Sequence, residues 1–122
     1  MPDFPYETRL DVLHGPLELV DVNAVDAANT HPWFNQTLCV VNDACVRVGI
    51  VQGEYHWHKH DEDDEFFFVL SGLLYVDLED KTFALGPNQG VTVPKGVVHR
   101  TRADVKTVML MVENKGIVPT GD

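Results

Sequence analysis

The chain has 122 residues, 44% of them hydrophobic, and we expect a single globular domain spanning residues 1–122. Its formal net charge of −10 disfavours nucleic acid and anionic membrane surfaces, so neither is an expected partner. No apolar run reaches the length of a membrane span, and the first residues lack the basic start of a secretory leader. We therefore expect a cytoplasmic protein, in which Cys39 and Cys45 remain reduced thiols.

The N-terminal part of the chain is predicted to carry little regular structure. The first 16 residues contain three prolines and are predicted to be irregular. A short strand is predicted over residues 17–22. A helix of one or two turns is predicted over residues 23–29, with Asn23 as its N-cap and Pro32 after its end.

From residue 36 onward the sequence consists of short β-rich runs separated by turn residues. The first two runs are expected to form a hairpin around Asn42, with Val40 opposite Cys45 and Cys39 opposite Val46. Strands are predicted at 37–41, 45–52, 54–60, 65–70, 73–78, 81–85, 91–93, 98–103 and 105–113. Many short strands with regular turns indicate an all-β sandwich or barrel.

Histidines and one glutamate are spaced as metal ligands would be. His58 and His60 stand at alternate positions, and alternate side chains of a β-strand share one face. Glu65 follows an acidic run, and His99 follows a Pro-Lys-Gly turn just inside a predicted strand. Three imidazoles and a carboxylate arriving from neighbouring strands suit a first-row divalent metal ion.

The two stretches that hold these residues resemble the two motifs of the cupins. The first stretch supplies Gly53, His58, His60, Glu65 and Gly72, and the second supplies Pro94, Gly96 and His99. Asn88 stands where the second motif usually opens with glycine, and asparagine tolerates the same left-handed turn. The resemblance sharpens the expected fold to a double-stranded β-helix, or jelly-roll barrel, with a short N-terminal helical segment. It also supports one divalent metal per chain held by His58, His60, Glu65 and His99.

The predicted ligands fix which side chains point into the barrel. If Glu65 points inward, so do Phe67 and Val69, and the same face of the last long strand carries Met109 and Met111. If His58 and His60 point inward, so does His56. The predicted pocket residues are therefore His56, Phe67, Val69, Met109 and Met111, while Tyr55, Trp57 and Lys59 are predicted to face outward.

The opposite face of the strand at 65–70 is also apolar. Phe66, Phe68 and Leu70 alternate away from the ligand face, and a small monomeric barrel has little to cover them. This pattern predicts a homodimer.

The predicted site favours a metalloenzyme, and the resemblance implies a wide range of activities. We expect an oxygenase or isomerase acting on a small oxygen-bearing metabolite, with Glu65 or His56 moving protons. The metal can be iron, manganese, nickel, cobalt, copper or zinc, because imidazole binds most of them. The alternative is a non-catalytic cupin that binds a small sugar or acid. Arg47 and Arg100 suit either an anionic substrate or solvated strand positions.

Overall fold

The computed structural model describes residues 5–122, and nearly all of its regular structure is β-strand. In chain order its elements are β1 (Glu7–Arg9), α1 (Val22–Ala28), β2 (Trp33–Val41), β3 (Ala44–Glu54), β4 (Glu65–Ser71), β5 (Leu74–Leu78), β6 (Thr82–Leu85), β7 (Gly90–Val93) and β8 (His99–Asn114). No helix in the described part of the chain is long and apolar enough to cross a membrane.

Strand β8 organises the sheet, because three other strands pair with it. Its 16 residues pair with β3 along most of their length, with β5 near the N-terminal end and with β4 near the C-terminal end. The main path runs β1-β2-β3-β8-β4-β7, and β6 joins through β5. The sheet folds over on itself without closing. The predicted all-β jelly roll with one short helix is confirmed.

The predicted hairpin is present, with the expected register. Val40 pairs with Cys45 and Cys39 with Val46, so the two thiols are not opposite each other, and both cysteines are free. The predicted left-handed turn also occurs, since Asn88 has φ of 66°.

The N-terminal predictions need three corrections. Residues 17–22 form no strand: Leu17 has φ of 65°, which breaks an extended run, and its side chain lies in solvent. The helix begins at Val22, and its N-cap is Asp21, whose carboxylate accepts from Ala24 N at 3.3 Å, rather than Asn23. Residues 7–9 were predicted to be irregular, yet they form β1, parallel to β2. Residues 1–4 lie outside the described part.

Two strand predictions near the site are also wrong in part. The pairing of β3 with β8 shifts between Val51 and Gly53, and Gly53 takes φ of 113°, so regular pairing ends at Glu54. Residues 55–60 form only one isolated bridge, between His58 and His99. The strands predicted at 98–103 and 105–113 are one continuous strand, β8.

Two apolar clusters cover the two faces of the sheet. The inner cluster fills the barrel and contains Trp33, Val51, Tyr55, Phe67, Val69, Leu74, Val76, Leu85, Val93, Ala103, Met109 and Met111. The outer cluster contains Phe34, Leu38, Val48, Ile50 and Val108, and α1 packs on it through Val22 and Val25. Leu70 also packs against this outer cluster, so part of the face that the sequence assigned to a dimer is covered within the chain itself.

Asp77 ties β5, β6 and β8 together. Its carboxylate accepts from Thr82 Oγ1 at 2.7 Å, from Arg100 Nε at 2.9 Å and from Arg102 Nε at 2.7 Å. Burial favours the protonated acid, but the bonds from Arg102, Thr82 and Arg100 outweigh it and lower the pKa of Asp77 to about 2. Arg100 therefore binds Asp77 on the outer surface of the barrel and does not line the interior cavity.

This network predicts a pH-dependent contribution to stability. A carboxylate whose folded pKa is depressed stabilises the fold above its unfolded pKa of about 3.9, and this stabilisation is lost as the pH falls toward the folded value. We expect Asp77→Asn to lower the free energy of unfolding in urea above about pH 4, with the difference from wild type shrinking toward pH 2–3. Asp80→Asn, which removes a carboxylate from an exposed turn, is the control and should have little effect at any pH. A difference between wild type and Asp77→Asn that is constant across this range would contradict the assignment.

Candidate metal centre

His58 and His60 reach the barrel interior from a segment that lies beside β8. Tyr55 N donates to Thr101 O at 2.9 Å, and His58 and His99 exchange two backbone hydrogen bonds of 2.9 and 2.8 Å. Gly96 N donates to His60 O at 2.7 Å and anchors the far end of the segment. These bonds hold the histidines against β8 without a regular strand.

The irregular path explains why the alternation of side chains holds only in part. Trp57 faces solvent as predicted, with 45% of its surface exposed. Tyr55, predicted to face outward, is instead 6% exposed and belongs to the inner cluster. The chain turns at Gly53, so the parity of β3 does not extend past residue 54.

The four predicted ligands come together at one point. Glu65 is the first residue of β4 and His99 the first of β8, and these two side chains and His60 are buried. Their donor atoms and that of His58 all lie within 4.8 Å of one another. The distance from Glu65 Oε1 is 3.1 Å to His99 Nε2 and 3.5 Å to His60 Nε2. Two donors bound to one ion at about 2.1 Å are about 3.0–3.4 Å apart, so these spacings fit a single metal ion.

The hydrogen bonds of the imidazoles also fit a metal. Nδ1 of His58 donates to His56 O at 3.0 Å, and Nδ1 of His99 donates to Val97 O at 2.9 Å. A proton on Nδ1 leaves the Nε2 lone pair free for a metal. Both ring nitrogens of buried His60 lack a hydrogen-bond partner among residues 5–122. An unpartnered buried imidazole calls for an explanation, and a coordinated ion provides one.

The electrostatics of the cluster suit coordination as well. Burial lowers the pKa of His58 to about 4, which keeps this imidazole neutral at physiological pH. Burial alone would raise the pKa of Glu65, but the adjacent imidazoles of His60 and His99 hold it well below its ordinary value. The cluster therefore combines a neutral imidazole with a carboxylate anion, the forms in which both bind metals.

The ligands border a narrow cavity inside the barrel. Of the predicted pocket residues, Phe67, Met109 and Met111 line it, whereas His56 and Val69 are not among its lining residues in the described chain. Its free volume is about 20 Å³, which is room for about one water molecule. The complete lining is Trp33, Asn35, Arg47, Tyr55, His58, Glu65, Phe67, Thr101, Met109, Met111, Glu113 and Pro119.

Sequence comparisons agree with this geometry. A model of the family described as "Cupin domain" matches residues 46–113. YdbB of Bacillus subtilis (strain 168), described as an uncharacterized protein, is 50% identical over 82 residues, which are 66% of this chain and 73% of YdbB. The chain belongs to the cupin family.

Solved structures resemble this cupin in fold. A cupin-2 domain containing protein from Shewanella frigidimarina has a TM-score of 0.75 and 26% identity, over 79% of this chain and 94% of that one. Protein NMB1881 from Neisseria meningitidis has a TM-score of 0.70 and 23% identity, over 80% of this chain and 99% of that one. Both proteins share the fold of this chain over almost their full length.

Two charged residues line the cavity besides the candidate ligands: Arg47, for which the sequence left two options, and Glu113, to which it gave no role. Arg47 and Glu113 form an ion pair and have side chains that are 4% and 1% exposed, so the option of a solvated Arg47 is excluded. Glu113 also pairs with Glu65 across β8 and β4, so the two buried carboxyl groups lie on neighbouring strands. Burial, followed by the neighbouring Glu65, raises the pKa of Glu113 well above its ordinary value. Burial and Glu65 thus oppose a second negative charge beside the candidate ligand, whereas Arg47 favours it.

The C-terminal segment of this cupin lies across the mouth of the cavity. Tyr55 Oη donates to Pro119 O at 3.2 Å, and His56 Nε2 donates to Thr120 O at 2.7 Å. Asp122 N donates to Lys59 O at 2.9 Å. The ring of His56 also lies 3.3 Å from the hydroxyl of Tyr6. These contacts place His56 between the N-terminal and C-terminal segments, next to the candidate metal ligand His58.

We expect Gly121→Ala to loosen this covering segment. Gly121 has φ of 94°, and a Cβ there would lie 2.7 Å from His58 Cβ and 3.0 Å from Lys59 O. Strain of this kind costs about 1–3 kcal/mol, so amide hydrogen exchange in residues 117–122 should accelerate about tenfold or more. Gly116→Ala is the control, because its new Cβ would meet only Asn114 Oδ1 at 3.3 Å. Equal exchange in this segment of wild type and Gly121→Ala would show that the contact with His58 does not hold it.

Proposed function

We propose that this cupin is a metal-dependent enzyme acting on a small oxygen-bearing metabolite, of the oxygenase or isomerase type. The convergence of His58, His60, Glu65 and His99 beside a narrow cavity is the observation that supports it. Four protein ligands on an ion that accepts six leave positions for ligands from the cavity. A bound divalent transition metal would supply a Lewis acid that polarises an oxygen ligand at those positions.

The other groups of the chain have distinct proposed roles. Phe67, Met109 and Met111 form an apolar wall that limits water beside the ligands and strengthens electrostatic interactions there. Glu65 lies against Glu113, and together these carboxyl groups can hold and release one proton beside the site. His56 was predicted to move protons, but its bonds to the covering segment favour a role in positioning that segment.

Metal identity stays open among iron, manganese, nickel, cobalt, copper and zinc, because three imidazoles and one carboxylate suit all of them. The alternative function is binding of a small sugar or acid without turnover. Dioxygen uptake or conversion of an added metabolite by the metal-loaded chain would support the enzyme. Tight binding with no product would support the alternative.

We also propose that the chain forms a homodimer through the outer face of β4. The rings of Phe66 and Phe68 stack there at 6.1 Å, and Val112, which pairs with Phe66, is 39% exposed. Leu70 is covered by the outer cluster, so the proposed contact is smaller than the sequence pattern suggested. The same face of β4 in a second copy of the chain can pack against this surface across a two-fold axis.

The metal assignment predicts the result of replacing two ligands. We expect His58→Ala with His99→Ala to reduce bound metal from about one ion per chain to near zero, because two of the four donors are lost. Elemental analysis of the purified protein measures this directly. His14→Ala with His31→Ala removes two imidazoles outside the cluster and should retain wild-type metal. Wild-type metal content in the His58/His99 variant would refute the site.

The dimer predicts a change of mass in solution. We expect wild type to sediment as a dimer and Phe66→Asp with Phe68→Asp to sediment as a monomer or to aggregate, because two carboxylates would be buried at the contact. Val12→Asp with Val105→Asp is the control, since these residues are 48% and 54% exposed elsewhere on the surface. A monomeric wild type would rule out the dimer.

A further inference from the structure

The cavity has a second polar end, distinct from the four candidate metal ligands. Trp33 and Asn35 lie on β2 and Arg47 lies on β3, and all three line the same cavity as Glu65 and His58. In the sheet, Arg47 pairs with Thr37 on one side and Met111 on the other. One cavity thus joins the metal ligands to a set of hydrogen-bonding groups across the barrel.

Two atoms of this polar end have unmet hydrogen-bonding capacity. Trp33 Nε1 and Asn35 Oδ1 are buried and have no partner among residues 5–122, and their residues are only 4% and 6% exposed. Buried polar groups of a native protein are nearly always paired, and each exception calls for a bound molecule or another explanation. The indole offers one donor, and the amide offers a donor end and an acceptor end.

Arg47 supplies the charge of this polar end. Its Nε donates to Thr37 Oγ1 at 3.0 Å, and its Nη1 pairs with Glu113, so the guanidinium is fixed in place. The charges of Arg47 and Glu113 cancel when both are ionised. A divalent ion on Glu65 would then leave the interior with an excess of positive charge. A buried excess charge is costly, and an anionic ligand would neutralise it.

Gly49 keeps this end of the cavity open. It pairs with Asn35 on β2 and Met109 on β8, so it lies at the centre of the wall. A Cβ at Gly49 would lie 2.7 Å from Met109 Cε and 3.3 Å from Asn35 Oδ1. The missing side chain therefore leaves both neighbours in their present positions.

We propose that Trp33, Asn35 and Arg47 form a subsite for the carboxylate of a short metabolite whose other oxygen-bearing end reaches the metal ligands. The metal end of this assignment rests on the proposed function, whereas the carboxylate end rests on the three side chains. The indole N–H and the guanidinium donate to the carboxylate. Asn35 donates to it once its amide is turned to present Nδ2, because Oδ1 can only accept. The cavity has about 20 Å³ of free space without a ligand, so its walls must move apart to admit even a short chain.

The test compares two probes on the full chain loaded with cobalt(II). Acetate has one carboxylate and can engage only one end of the cavity, whereas malonate has two and offers one to each end. Calorimetry gives both dissociation constants, and the visible spectrum of cobalt shows whether each probe reaches the metal. Hydrogen bonds to a charged group are strong, so we expect malonate to bind at least about tenfold more tightly than acetate.

Two variants probe the subsite by different means. Asn35→Asp places a like charge against the bound carboxylate, and Trp33→Phe removes the indole N–H. In each variant the ratio of the acetate to the malonate dissociation constant should fall to about three or less, while cobalt content stays at the wild-type level. Gln89→Glu is the matched control, because it makes the same amide-to-acid change on an exposed loop where its oxygen accepts from Gly86 N.

The outcomes separate this inference from the proposed function. Equal affinity of the two probes in cobalt-loaded wild type, or a preference that both variants retain, overturns the subsite and leaves the metal site intact. If wild type binds no cobalt, the proposed function fails, and calorimetry of malonate with the metal-free chain then decides the subsite. Binding that Asn35→Asp weakens supports the subsite, and absence of binding overturns it.

Discussion

A buried carboxylate imposes the main constraint on this barrel. Glu65 is 5% exposed within an apolar interior, and an isolated charge there would cost several kcal/mol. The chain must therefore bring compensating groups to Glu65 from elements that are distant in sequence. His60 and His99 approach its carboxylate directly, and Glu113 lies against it from β8. A metal ion is the partner that would engage the carboxylate and all the neighbouring imidazoles together.

The curvature of β8 makes this convergence possible. His99 begins the strand and Glu113 lies one residue before its end, yet the His99 ring contacts Glu65 and Glu113 pairs with it. A straight strand would separate these two residues by about 45 Å at 3.3 Å per residue. The strand must therefore curl around the barrel, and the pairing shift between Val51 and Gly53 on β3 helps it to do so. The jelly-roll fold and the site are consequences of the same bend.

The parts of the site that the sequence predicted lie on regular strands or in the two motifs. Alternation correctly placed Phe67 and Met111 inside, because β4 and β8 keep their parity. Continuing that parity from Met111 would have reached Glu113. Tyr55 was placed wrongly because the chain leaves the sheet at Gly53, and Asn35 was missed because β2 begins four residues before the predicted strand. The covering segment depends on contacts between residues far apart in sequence, which local patterns do not encode.

The pair of Arg47 and Glu113 is hard to explain by stability alone. A buried ion pair is often no more stabilising than apolar side chains of the same volume, because desolvation offsets the attraction. The surrounding wall contains Phe67, Met109 and Met111, so an apolar pair would pack well at this position. The sequence instead retains an arginine and a glutamate beside the candidate ligands, with unpartnered polar atoms of Trp33 and Asn35 on the same cavity. A polar ligand in the cavity accounts for all of these groups, whereas a purely structural role leaves the unpartnered atoms of Trp33 and Asn35 unexplained.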